Sequence, residues 1–462
     1  MESCGQTASR LTDTCLRHPV ITILSVALLV RLVLMPLLTY DYDIYHWAVI
    51  IQNFQSGNGL YDVAGYYYTP TWGYILGFVS MIIDALGTVD VFGIRFTDLF
   101  PIESLDFDFH TATTTTIAFN IAMKIPLVIV DVVVALLLRW LIIEITGSEK
   151  KGAAGMALWL FCPTVIYMSG IQAQFDSISA LMMLLTVILV YKDRCFLGGM
   201  IFGAAVLLKF FPGFTILVML AYIIVKHRDD GLAARRIIEA ALGAGIMCIV
   251  LFLPQLLDGT FNYTLGFIFG RMDMQSESGW YVALAQYALI AIALLGMIYA
   301  GYRMYKTDAK DADHGFFTCV LIALGCAMFI SATPQYMMVM MPLLILVMLM
   351  SEGRLRICWI LITIGSFIGA LANNNIMLLD SAAEYLGIVS PDWVVSIAEW
   401  IESNTIFGIT PVLLINSLGS IIEYVGFIII LALFFERKLS TKLPKMANAL
   451  KKLKRWDFDE TV

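Results

Sequence analysis

Long apolar blocks separated by short polar stretches dominate this chain. They fall at residues 19–39, 117–143, 153–169, 176–191, 195–209, 212–226, 236–257, 281–302, 315–332, 336–351, 356–372 and 411–435. A bilayer crossing takes about 20 mostly apolar residues, so the pattern predicts about twelve membrane helices. The fourth to sixth and the tenth blocks are short for a crossing, which predicts broken or tilted helices there. The first block is too long and too Arg-interrupted for a cleaved signal peptide and reads as the first span. The expected fold is an all-α polytopic membrane protein.

Composition narrows the picture. Of 462 residues, 60% are hydrophobic and 14% charged, against about 25% charged in soluble domains. Mean hydropathy is +0.84 and the pI about 5.3. Disordered chains, secreted disulfide scaffolds and nucleic-acid binders are excluded on these grounds. Cys4, Cys15 and Cys195 flank spans and the other five cysteines lie within them, so neither a disulfide framework nor a CxxC metal site is expected.

Charge sets the expected orientation. With the N-terminus cytoplasmic, 23 of the 29 Lys and Arg residues fall on the inside, and the outer loops keep only Arg95 and Arg271. That asymmetry places both termini in the cytoplasm. It also assigns residues 71–90, apolar enough to suggest a span, to a re-entrant or interfacial helix pair on the outer side. The expected organisation is a cytoplasmic N-terminus at 1–18, a membrane domain at 19–435 and a basic cytoplasmic tail at 436–462. The membrane domain carries a large first outer loop at 40–116 and an outer segment at 373–410. In the tail, Met446, Leu450 and Leu453 face one way among lysines, the pattern of an amphipathic helix on an anionic leaflet.

The sharpest chemical feature is Asp41-Tyr42-Asp43, where the first span leaves the membrane. Two carboxylates spaced i, i+2 suit acid–base or cation-holding work, and a position at a helix C-terminus is expected to raise their pKa. The bland alternative is a pair of solvated acids beside an aromatic belt. Arg31, Lys124, Asp131 and Lys209 lie inside apolar runs, where each charge costs roughly 2.5–3.5 kcal/mol. Lys124 and Asp131, seven apart on one helical face, point to pairing with each other or with other helices. Lys209 reads either as a snorkelling cation or as a contact for a lipid phosphate.

In order along the chain come Asp41-Tyr-Asp43, Gly65-Tyr-Tyr-Tyr68-Thr-Pro70, the Lys124 to Asp131 stretch, Ser169-Gly-Ile-Gln-Ala-Gln174-Phe-Asp176-Ser177, Lys209-Phe-Phe-Pro212 and Thr333-Pro-Gln335-Tyr336. This ordered set resembles the GT-C class of membrane glycosyltransferases. It is most similar to the catalytic subunit of GPI mannosyltransferase I and its prokaryotic polyprenol-phosphate-mannose-dependent relatives. Two departures stand out. Residues 88–116 have no counterpart in the GPI enzyme, and the Arg and Asn of its RGNADS segment are replaced around Ala173-Gln174-Phe175, so the acceptor is expected to differ.

The resemblance implies transfer of a hexose, mannose by similarity, from a polyprenyl-phosphate donor to a hydroxyl of a glycolipid or glycan on the outer face. It implies Asp41 as base with Asp43 supporting it, and inversion at the anomeric carbon. Lys209, Arg271 and Arg31 are candidates for the donor phosphate. Tyr68, Lys124, Asp131, Gln174, Asp176, Gln335 and Tyr336 are expected to line the cavity. No cofactor is required by this reading, although the acid pair leaves a divalent cation open. The cell membrane is the expected location, or the ER membrane in a eukaryote, where Asn262-Tyr-Thr264 would be a glycosylation triplet. A transporter or flippase of lipid-linked sugars is the rival reading, although no internal repeat supports it. A non-catalytic scaffold has no use for the buried charges.

Overall fold

A computed structural model describes residues 18–62, 66, 68–86, 90–91, 94–95, 117–262, 280–330, 333–351 and 355–442. Arg271, most of the 88–116 insertion, the Asn262 triplet beyond its first residue and the tail from 443 lie outside the described residues.

The helices are α1 (Pro19–Leu37), α2 (Asp41–Gln55), α3 (Pro70–Leu86), α4 (Ile117–Thr146), α5 (Glu149–Leu160), α6 (Pro163–Gly170), α7 (Asp176–Tyr191), α8 (Cys195–Leu208) and α9 (Ile216–Lys226). After them come α10 (Ala233–Asp258), α11 (Trp280–Tyr305), α12 (Ala312–Ala327), α13 (Met341–Met350), α14 (Arg356–Asn374), α15 (Asp380–Leu386), α16 (Pro391–Ser403) and α17 (Pro411–Lys442). Asp90–Val91 and Ile94–Arg95 form a minimal antiparallel ribbon after α3. Among the described residues, six helices are long and apolar enough to cross a membrane, or eight if each of two bent pairs is one span. Their outer faces present Ile246, Ile249, Val250 and Leu253 of α10 and Leu413, Leu418 and Ile421 of α17 to the surroundings. Residues of this type in such numbers need lipid, not water, around them. The chain is a multi-pass helical membrane protein.

Helix breaks follow local chemistry. The apolar block at 153–169 divides into α5 and α6, bent by 52°, because Pro163 has no N–H to continue the ladder. Within the stretch at 71–90, the described residues up to Leu86 form one continuous helix, α3, and Asp90 belongs to the ribbon. The apolar part of α3, Pro70–Ile82, is shorter than a crossing. Two seams hold the bundle by close backbone approach. In one, α8 meets α10, where a Cβ on Gly199 would lie 2.0 Å from Ala240 O and one on Gly243 2.1 Å from Phe196 O. In the other, α14 meets α17, with Gly365 and Gly419 face to face. Small residues that let helices touch are the main packing device inside lipid.

The bundle has two chemically different ends, joined by α4. At one end Asn120 donates to Ser381 Oγ, close to the Asp41 turn. At the other, Lys192 pairs with Glu144 at 2.5 Å, and His227 lies 2.8 Å from both Asp193 and Asp230.

Candidate functional site

The acid-bearing turn begins where α1 ends. Leu38 is extended, and the chain starts again at Asp41 as the first residue of α2. Asp41 and Asp43 therefore sit at a helix N-terminus, whose dipole favours a carboxylate, and not at a C-terminus as the sequence suggested. Lys124 answers for the other pole. Its ammonium donates to Met35 O at 3.0 Å, Leu38 O at 2.8 Å and Thr39 Oγ1 at 2.8 Å. It caps the last carbonyls of α1 and is fully buried, so it closes a helix end instead of lining the cavity.

Asp131 is likewise structural in its contacts. Its carboxylate accepts from Arg31 Nε and Nη2 at 3.2 and 3.1 Å, from Ser177 Oγ at 2.6 Å and from Ser169 Oγ. Arg31 also donates to Leu160 O at 2.9 Å, a carbonyl freed by the break before Pro163. Arg31 and Asp131 are buried and mutually satisfied, which removes Arg31 as a phosphate contact and Asp131 as a cavity wall. Lys124 and Asp131, expected as possible partners, bind different groups.

The remaining residues converge. Residues 171–175 make a tight loop between α6 and α7, in which Ala173 adopts φ +56. A left-handed backbone at a residue with a Cβ is strained. It is held by Trp47 of α2, whose Nε1 donates to Ala173 O at 3.2 Å, and by Gln174 N donating to Met168 O at 2.9 Å. Phe175 stacks on Trp72 of α3 with ring centroids 4.5 Å apart and meets Tyr68 edge-on at 5.3 Å. Tyr66 Oη donates to Thr69 O at 2.7 Å and accepts from Gly73 N, an amide of the first turns of α3. The aromatic-rich segment thus anchors α3 and clamps the loop.

This clamp sets the polar groups. Gln172 Nε2 donates to Asp43 Oδ2 at 2.8 Å. Burial raises the pKa of Asp43, and hydrogen bonds from Gln172 and Gln174 together with the nearby Lys209 charge offset part of that rise. The side chain of Asp41 lies outside the described set. Lys209 caps α8 in an extended conformation just before Pro212. Its Nζ stands 3.3 Å from Asp176 Oδ1, and 4.5 Å from the ring centres of both Phe175 and Tyr336. Each such ring contact is worth roughly 0.5–2 kcal/mol. The Asp176 contact is a buried ion pair, so the ammonium of Lys209 is held between one carboxylate and two ring faces. Thr69 Oγ1 donates to Leu207 O, joining the aromatic segment to the end of α8. Tyr336 also packs on Phe211 at 4.7 Å. Gln335, its neighbour in the Pro334–Val339 turn, is partly exposed.

Asp43, Tyr68, Gln174, Asp176, Lys209 and Tyr336 are therefore one cluster. Gln172, Trp47 and Phe175 were not singled out by the sequence. Gln172 lies inside the Ser169–Ser177 segment, but nothing local marks it as the partner of Asp43. Among the described residues, no group of three His, Cys, Asp or Glu side chains is placed to hold a metal ion. No family model matches the chain, and no curated protein matches it.

Proposed function

We propose that this protein is a membrane glycosyltransferase of the GT-C type, with about twelve crossings, that moves a hexose from a polyprenyl-phosphate donor to an acceptor hydroxyl. One observation carries the reading: a carboxylate, Asp43, and a buried cation, Lys209, share one aromatic-walled cluster at one end of an apolar bundle. Transfer from a lipid phosphate needs a base for the hydroxyl and a cation for the departing phosphate. Asp41 is the proposed base and Asp43 its support. The acceptor oxygen attacks the anomeric carbon as the sugar–phosphate bond breaks, its proton passes to Asp41, and the phosphate leaves with its electron pair against Lys209. A single in-line displacement inverts the anomeric carbon. Mannose is the proposed sugar on the sequence resemblance. The site faces outward and both termini face the cytoplasm, in keeping with the distribution of Lys and Arg.

Incubating purified protein with radiolabelled polyprenyl-phosphate-mannose and glycolipid acceptors tests this directly. Asp41→Asn should abolish transfer and leave donor binding intact, and Asp43→Asn should impair it less. Donor crossing of the bilayer without transfer would favour a flippase instead.

A further inference from the structure

The outer segment after α14 carries an exposed aromatic surface that the proposed chemistry does not use. Helix α16 has three faces. Val394 and Ala398, with Ile397 and Ile401 partly covered, lie against the protein. Trp393 and Trp400, seven residues apart and so nearly aligned on one line of the helix, are 47% and 58% exposed. Asp392, Glu399 and Glu402 occupy a third face, all exposed. At about 100° per residue, the Trp line lies roughly a quarter turn to one side of the buried face; Asp392 and Glu399 lie on the side away from that face, and Glu402 roughly a quarter turn to the other side, opposite the Trp line. Beyond α16 the chain makes a tight hairpin, with Ile406 and Ile409 exchanging backbone hydrogen bonds at 2.8 and 3.1 Å. Phe407 and Gly408 at its tip both have positive φ. Phe407 is 97% exposed, flanked by Ile406 and Ile409, also exposed.

We propose that the Trp393–Trp400 line and the Phe407 tip dock into the headgroup–acyl boundary of the bilayer. Three observations select lipid as the occupant. The apolar surface is continuous with a membrane span, since α17 starts at Pro411 and exposes Leu413, Leu414 and Leu418 in its first turns. Amphipathic aromatics are the side chains that rest at the membrane–water boundary. The charge pattern completes the case: residues 373–410 contain five acids and no Lys or Arg. Attraction to anionic lipid is absent, so docking rests on aromatic burial and is indifferent to lipid charge.

The test uses the full chain in phosphatidylcholine nanodiscs, with Phe407→Trp compared with Glu402→Trp. Both positions are exposed, so neither change disturbs packing. Emission added at 407 should be blue-shifted and fall about twofold or more when the lipid is brominated in the upper acyl chain, within the ~5–10 Å that interfacial side chains penetrate. Emission added at 402 should respond to aqueous iodide instead. The 407 signal should be unmoved by salt. Quenching at 407 by iodide alone would overturn the proposal by placing the tip in water. Protection from both quenchers would overturn it in favour of a protein partner.

Discussion

Lys209 owes its place to the stop at Leu208, which leaves it extended between two aromatic rings and Asp176. Lys209→Met keeps the stem and removes the charge. Turnover of donor should fall by about 10²–10³, as when one oxyanion donor is lost, with weaker donor binding. Lys209→Arg should retain part of the rate, because charge survives while geometry changes. Normal kinetics in the Met variant would mean that the cation serves only packing. Asp43 makes a second prediction. Burial raises its pKa, so by linkage its contribution to stability is full at low pH, where it is protonated, and is lost as pH rises through the raised value. If the ionised form is needed for turnover, the acid limb of kcat/KM lies above the ordinary carboxylate range. Gln172 stabilises the ionised form, so Gln172→Leu should move that limb further up. A limb unmoved by Gln172→Leu would separate Asp43 from the chemistry.

At the scale of elements, the seam between α8 and α10 offers a comparison within one helix. Gly243→Ala places a methyl 2.1 Å from the Phe196 carbonyl, whereas a Cβ on Gly245 meets nothing within 4 Å. The first change should cost about 1–3 kcal/mol as overpacking. The second should be neutral or stabilise by about 0.5–1 kcal/mol through reduced backbone entropy. Thermal unfolding in detergent reads both, and shifts of the same sign would contradict the seam. Helices were legible in the sequence because an apolar block of bilayer length has few other uses. The stops at Pro163 and Pro212 carried their own local cause. The start of α2 did not. Whether Asp41 ends one helix or begins another depends on Lys124 and on the Leu378 carbonyl, both distant in sequence. The loop at 171–175 was illegible for a similar reason. Alanine gives no local hint of a left-handed backbone, and Trp47 is what holds Ala173 there.

At the scale of the whole molecule, α4 links an end bearing the acid turn to an end bearing Lys192, Lys226 and Arg236. If the Lys and Arg asymmetry sets orientation, cysteine at Glu402 should react with an impermeant thiol reagent from outside the cell, and cysteine at Arg235 should not. Reaction of both, or the reverse, would invert the proposed topology. One contact links the site to the bilayer as well. Thr39, two residues before Asp41, donates its backbone N–H to Leu378 O at 2.9 Å, and the chain from Leu378 leads through α15 to the Trp-bearing α16. The proposed reacting acids are thus tied by this hydrogen bond to the segment proposed to rest on lipid. Their height above the acyl chains is then fixed by bilayer thickness, while the anomeric carbon of a membrane-bound donor moves with the leaflet. Thickness becomes a kinetic variable: transfer measured across phosphatidylcholines of increasing acyl length should pass through a maximum, and Phe407→Ser should flatten that dependence.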